Sequence, residues 1–402
     1  MENSRKGIIL HDYFRILGGG ERLVGVLARH FGWPVLAGFK SSRYAEAAAG
    51  DADPGDLSGR WIQDVFSLNC YQGLAPLQIV SLVRGFRDRA EPFLRNSDTV
   101  LYSGTYAPLG VFNSPARANI YYCHSPARFV YDQRDFYLSA APVWRRIALR
   151  WLIQKFQPLY EDALAGMDTI VANSENVRQR LASYLGLDAV VVHPPCDTKR
   201  FFWQGQSDFY LSTARLDPLK RVDIIVDAFK RMPEKKLVVI SGGSEEREIR
   251  KMAGDAENIE ILGWVSEEKL CRLMGECIAS VYIPIDEDFG MSPVESMAAG
   301  KPVIGVQEGG VGETVGGVQN AAQLYAPSGP GAAENFVETP RGVLLKSRPG
   351  PENLVRAVQW MSPQRALEMR RDCERRARQF DSGVFLQKMA HLTGAFYHPP
   401  HT

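Results

Sequence analysis

Two glutamates, Glu287 and Glu295, have seven residues between them in the run from Ile285 to Ile304, across a junction between a loop and a helix. Carboxylates at that spacing can accept hydrogen bonds from sugar hydroxyls. Between them, the backbone N–H groups near Gly290, Met291 and Ser292 offer donors and a helix dipole to a phosphate. The chemistry this suits is the holding of a sugar attached to a diphosphate, in the crevice outside the carboxyl end of a strand.

Such a crevice needs a strand before it and a helix after it. Ile278 to Pro284 is short, apolar and rich in branched side chains, as expected of a buried strand. Pro293 fits the first turn of a helix, and Gly300 followed by Pro302 ends it. The second half of the chain repeats this rhythm. Strands are expected at Phe209–Thr213, Leu237–Ser241, Ile259–Leu262 and Pro302–Val306. Helices are expected at Val222–Met232, Glu245–Ala253, Glu267–Glu276 and Pro293–Ala299, and further helices from Glu352 to Gln379 and Gly383 to Phe396. Gly316–Arg341 is rich in Gly, Pro, Ala and Asn and is expected to be a surface loop.

The first half shows strands at Gly7–Asp12, Val35–Phe39, Thr99–Ser103, Ala118–His124, Thr169–Asn173 and Val190–His193. Its first helix is expected at Glu21–Phe31, after a glycine-rich loop Arg15–Gly20. Alternating strands and helices predict an α/β fold of two doubly wound, Rossmann-like domains facing across a deep cleft. The expected divisions are 1–195, a Pro-containing linker 196–206, 207–380, and a C-terminal helix in 381–402 packing back towards the first domain.

Composition narrows the class. Lys plus Arg (47) nearly balances Asp plus Glu (46), which argues against a dedicated nucleic-acid binder. Six cysteines show no CxxC pair, so free thiols in a reducing compartment are expected rather than disulfides or a zinc site. No leader-like apolar segment and no membrane-spanning run is seen. The expectation is a cytoplasmic protein, peripheral on the inner face of the cytoplasmic membrane.

With these residues in view the chain resembles the retaining glycosyltransferases of the GT4 family and GT-B architecture, and among them bacterial mannosyltransferases of surface-polysaccharide synthesis. Four segments carry the resemblance in order: Gly18–Glu21, Cys123–Asp132, Ser212–Arg221 and Glu287–Glu295; Gly309–Val315 supports it. It implies transfer of a hexose from a nucleoside diphosphate sugar, GDP-mannose favoured, to a glycan or polyprenyl-diphosphate-linked acceptor. A UDP-sugar donor, a nucleotide-sugar 2-epimerase and a non-catalytic nucleotide or glycan binder are the rivals.

The resemblance also implies roles. Arg215 and Lys220 would hold the diphosphate, Glu287 the hydroxyls of the transferred sugar, Glu295 the nucleotide ribose, and His124 the sugar's reacting face. The donor surface would extend over Gly19, Gly20, Asp288, Phe289, Gly290, Met291 and Ser292. Asp288 departs from the family pattern, which commonly has glycine there. Arg128 and Asp132, four residues apart, either pair on a helical turn or line the acceptor side.

Other motifs are weaker. Gly18–Gly20 fails the GxGxxG test, because no glycine stands three places after Gly20. Asp51/Asp53 and Asp286/Asp288 match an Asp-x-Asp metal pattern, but Arg215 and Lys220 can neutralise a diphosphate, so no cofactor and no metal is expected. Trp144–Phe156 carries an apolar stripe at 144, 147, 148, 151 and 152 with basic residues on other faces. It suits either an anionic membrane surface or an ordinary core-facing helix.

Overall fold

The computed structural model describes residues 6–15, 18–42, 65–317, 336–346 and 349–395. Ile16 and Leu17, residues 43–64 with Asp51 and Asp53 among them, and residues 318–335 lie outside the described residues.

The chain divides into two compact units, one of residues 1–173, 177–193 and 385–402, the other of 174–176 and 194–384. In the first, strands β1 (Gly7–His11), β2 (Val35–Ala37), β3 (Val65–Ser67), β4 (Thr99–Ser103), β5 (Ala118–Cys123), β6 (Thr169–Ala172) and β7 (Val190–Val191) form one sheet. Their order is β3-β2-β1-β4-β5-β6-β7, and every pairing is parallel. Parallel strands covered on both faces must be apolar along their whole length, and β1 and β4 are buried at every position. The helix Gly19–Phe31 covers one face with Leu23, Val24 and Leu27. Helix Ser382–Thr393 adds Phe385, Leu386 and Met389 to the same cluster.

The second unit contains β8 (Tyr210–Ser212), β9 (Leu237–Ile240), β10 (Ile259–Gly263), β11 (Ser280–Val281), β12 (Val303–Val306), β13 (Phe336–Thr339) and β14 (Gly342–Leu345). The order is β10-β9-β8-β11-β12-β14-β13. All pairs are parallel except β13 with β14. This corrects the expectation of loop up to Arg341. A four-residue strand leaves almost no periodicity to read beside a Gly- and Pro-rich run. It is held by the ladder to β14 and by Phe336 packing edge-on to Trp360.

Two smaller departures concern the site. The glycine-rich turn is already helical from Gly19, with Gly18 as its N-cap. The expected strand Ile278–Pro284 shrinks to Ser280–Val281, although Tyr282 N–H still bonds Ile304 O at 2.9 Å. In both sheets the chain winds outward from a central strand and then returns on its other side. The switch falls between β1 and β4 in one sheet and between β8 and β11 in the other. Loops diverge at such points and leave a crevice at the strands' carboxyl ends. Among the described residues, no helix is long and apolar enough to cross a membrane.

Candidate functional site

The switch point of the second sheet gathers the cations and the acidic loop. Lys220 ends a short 3-10 turn after β8, and Glu287 stands on the loop after β11. Lys220 Nζ donates to Glu287 Oε2 at 2.5 Å and to the Tyr282 hydroxyl at 3.2 Å. Burial works against the Lys220 charge, but Tyr282 and Glu287 outweigh it and hold the ammonium above its ordinary range. Burial, then Glu287, pushes the Tyr282 phenol up, so Tyr282 acts as a neutral hydroxyl and Glu287 supplies the opposing charge.

The glutamate loop is pinned through its backbone. Gly310 N–H donates to Glu287 O at 2.7 Å, Asn176 Nδ2 to the same carbonyl at 3.1 Å, and Ser174 Oγ to Asp288 O at 2.6 Å. Gly309, at φ +57°, passes so close that a Cβ would lie 2.2 Å from Glu287 O. No other residue fits there. Arg221 forks onto Glu308 at 3.1 Å and reaches the carbonyls of Ile283 and Pro284, tying the start of the loop to the N-cap of helix Gly309–Gly316.

Helix Met291–Ala298 begins at Gly290, which caps it in a left-handed conformation with no side-chain cap. Met291 and Ser292 are half-buried in its first turn, and Glu295 is half-buried one turn further in. The Glu295 charge reaches the Cys196 thiol, whose pKa burial already raises. Phe289 is buried against Phe380, so what it can offer a ligand is its backbone. Arg215 leaves the end of β8 with its side chain 55% exposed, 3.5 Å from Asp217.

Trp264 was not singled out from sequence. It follows β10, is 72% exposed, and lies over Gly242, where a Cβ would sit 2.5 Å from the indole nitrogen. Gly242 O in turn accepts from Leu216 N–H at 3.1 Å, so Trp264 and the Arg215 loop share one rim of the sheet. Its signal was a tryptophan directly after a short strand and a glycine, which periodicity alone does not separate from a packing residue.

The first unit holds a second cluster at its own switch point. His124, just after β5, has Nε2 2.8 Å from Ser103 Oγ. His11, at the end of β1, has Nδ1 3.1 Å from both Ser103 O and Ser103 Oγ. A carbonyl only accepts, so His11 carries its proton on Nδ1, and the Ser103 hydroxyl is then placed to donate to His124 Nε2. Burial pushes His11 down to about 3, with His124 adding to the push and Ser103 opposing it. Asp12 accepts from the N–H groups of Thr105, Tyr106 and Ala107, yet burial outweighs those bonds and raises its carboxyl to about 6.

Gly20 sits against this cluster, where a methyl would touch the His124 and His11 rings at 3.7 and 3.8 Å, and Gly19 is exposed beside it. His11 and Ser103 were read only as strand residues. Arg128 and Asp132 pair at 2.8 Å, with Arg180 3.7 Å from the same carboxylate. Among the described residues, no group of three or more His, Cys, Asp or Glu side chains is placed to hold a metal ion.

Residues 197–380 match the family model described as "Glycosyl transferases group 1". That part of the chain is a group 1 glycosyltransferase domain. The domain contains Arg215, Lys220, Glu287 and Glu295. Relatives include the alpha-1,3/1,6-mannosyltransferase ALG2 of Homo sapiens, 23% identical over 54% of this chain and 59% of that protein. Another is the GDP-mannose-dependent alpha-(1-6)-phosphatidylinositol monomannoside mannosyltransferase of Mycolicibacterium smegmatis, 27% identical over 37% of this chain and 46% of the relative. The chain thus spans about half the length of the curated relatives it matches. The solved structure of Anabaena Alr3699/HepE in complex with UDP-glucose aligns over 96% of this chain and 99% of that one, with a TM-score of 0.67 at 15% identity. The group 1 domain is therefore one half of a two-domain, Rossmann-like GT-B fold.

Proposed function

We propose that the protein is a retaining, metal-independent glycosyltransferase that moves mannose from GDP-mannose to a glycan or polyprenyl-diphosphate-linked acceptor. The observation that carries it is the Lys220–Glu287 pair at the β8/β11 switch point, beside an uncapped helix N-terminus and the exposed Arg215. A diphosphate needs cations and N–H donors, and a sugar needs a fixed carboxylate; here both stand on one rim.

In this reading Arg215, Lys220 and the N–H groups of Gly290, Met291 and Ser292 stabilise the departing diphosphate. Glu287 orients the hexose, with Asp288 beside it, Glu295 accepts from the ribose, and His124 is assigned to the transferred hexose. The acceptor hydroxyl forms its bond to the anomeric carbon on the face from which the diphosphate leaves. The carbon–oxygen bond to the diphosphate breaks, and the diphosphate takes the acceptor's proton. No protein nucleophile is needed. A lipid-linked acceptor would be met by a peripheral protein at the cytoplasmic face of a membrane.

The mannosyltransferase relatives support the mannose donor; the UDP-glucose complex of a fold neighbour favours a UDP-sugar as the second reading. The test is release of nucleoside diphosphate from a donor panel, with and without an acceptor extract, followed by product analysis. GDP released only with acceptor, in the presence of EDTA, is the expected result. Epimerised donor without release, or dependence on added magnesium, would refute this reading.

A further inference from the structure

The long helix Val143–Ala165 has two apolar faces, and only one of them belongs to the protein core. Leu152, Ile153, Phe156 and Tyr160 are buried. Val143, Trp144, Ile147 and Trp151 are exposed at 71, 66, 67 and 57%. At about 100° per residue, Trp144, Ile147 and Trp151 fall within roughly 60° of one another, on the side opposite the buried stripe. The apolar stripe read from sequence therefore splits: Leu152 faces the core and the tryptophans face outward. Exposing four large apolar side chains on two turns opposes the usual drive to bury such surface.

The flanks of that stripe carry one sign of charge. Arg150 borders it on one side and Lys155 on the other, with Arg145 beyond, its guanidinium 4.8 Å over the Trp144 ring. No acidic residue occurs from Val143 to Tyr160, in a protein whose overall net charge is only +1. Arg146 bonds the carbonyls of Ala141 and Ser139, fixing the helix start, while the buried half anchors the rest. The adjoining helix Arg134–Ala140 adds exposed Phe136 and Tyr137. Tryptophans between cations, on a rigid helix, match the boundary between acyl chains and anionic headgroups.

We propose that the outer face of helix Val143–Ala165 is a docking surface for an anionic lipid bilayer, with Trp144, Ile147 and Trp151 entering the headgroup boundary and Arg145, Arg150 and Lys155 meeting lipid phosphates. Its purpose rests on the proposed lipid-linked acceptor; its binding does not. The purified full chain is sedimented with phosphatidylcholine vesicles, with and without phosphatidylserine, at low and high salt. Binding is expected only with phosphatidylserine and only at low salt, with a blue shift of tryptophan emission.

A combined Trp144→Ser, Ile147→Ser, Trp151→Ser variant is expected to bind at least roughly tenfold more weakly. A combined Arg145→Gln, Arg150→Gln, Lys155→Gln variant is expected to lose about fivefold in binding per charge removed. Both variants should bind GDP as wild type does, because these positions lie outside the donor site; failure of GDP binding in all three proteins would count against the donor reading alone. The docking proposal is overturned if wild type stays in the supernatant, or if the serine variant sediments equally. It is also overturned if wild type is a dimer that the serine variant converts to monomer without any vesicle binding.

Discussion

Lys220 and Glu287 hold each other at 2.5 Å, although the proposed reaction assigns them to different parts of the donor. A diphosphate must therefore compete with Glu287 for the ammonium. With side chains only 16 and 20% exposed, the contact is poorly screened, and a charge-assisted hydrogen bond there is worth about 1.5–3 kcal/mol. Lys220→Met keeps the apolar stem and removes the charge, so GDP affinity should fall roughly tenfold to 150-fold. Glu287→Gln should do the opposite to GDP, leaving affinity unchanged or a few-fold tighter, because Lys220 is released to the phosphates. The same variant should lose at least about a hundredfold in transfer, since the sugar's acceptor carboxylate is gone. Titration calorimetry with GDP on wild type, both single variants and the double variant completes the cycle, with circular dichroism confirming that each is folded. The gain from Glu287→Gln should vanish when Lys220 is already Met. Equal GDP affinity in all four proteins would falsify the assignment of Lys220 to the diphosphate.

Three further outcomes are expected. Trp264→Ala should weaken GDP binding by about 1–3 kcal/mol, the worth of a base stacked on an aromatic ring, and should abolish any quenching of tryptophan emission by GDP; unchanged binding and quenching would remove Trp264 from the site. Gly309→Ala forces a Cβ towards Glu287 O at a positive φ, so the second unit should lose at least about 1–3 kcal/mol in denaturant unfolding, and transfer should fall with it. His11 stays neutral in the folded protein down to about pH 3 but takes a proton below about pH 6.5 when unfolded. Its contribution is thus present above pH 6.5 and lost as pH falls. Relative to His11→Asn, wild type should lose roughly 1.4 kcal/mol per pH unit between those limits, read from the unfolding of the first unit. A pH-independent difference would refute the burial argument.

Much of the architecture was legible because its signals are local. Short branched strands, helix stops such as Gly300–Pro302 and the repeated βα rhythm foretold two doubly wound sheets, and β4 (Thr99–Ser103) and helix Glu267–Glu276 begin and end where expected. The strand β13 was missed because four residues beside a Gly- and Pro-rich run carry too little period. At the site, Lys220 and Glu287 were both nominated from sequence, but their pairing spans 67 positions and was not. The pairing of His11 with Ser103 in the first unit and the Trp264 rim in the second were missed altogether, since each is assembled only when separate strand ends of its own sheet fold side by side.

By itself, then, the sequence determined which residue types stand at strand ends and helix starts, because those signals come from a few neighbouring residues. Tertiary structure decided the partners. The strand order places β1 beside β4 and β8 beside β11, so it alone joins His11 to Ser103 and Lys220 to Glu287. It also decided which apolar stripe of helix Val143–Ala165 meets the core. A helix with two apolar faces has no inside until the rest of the chain packs against one of them.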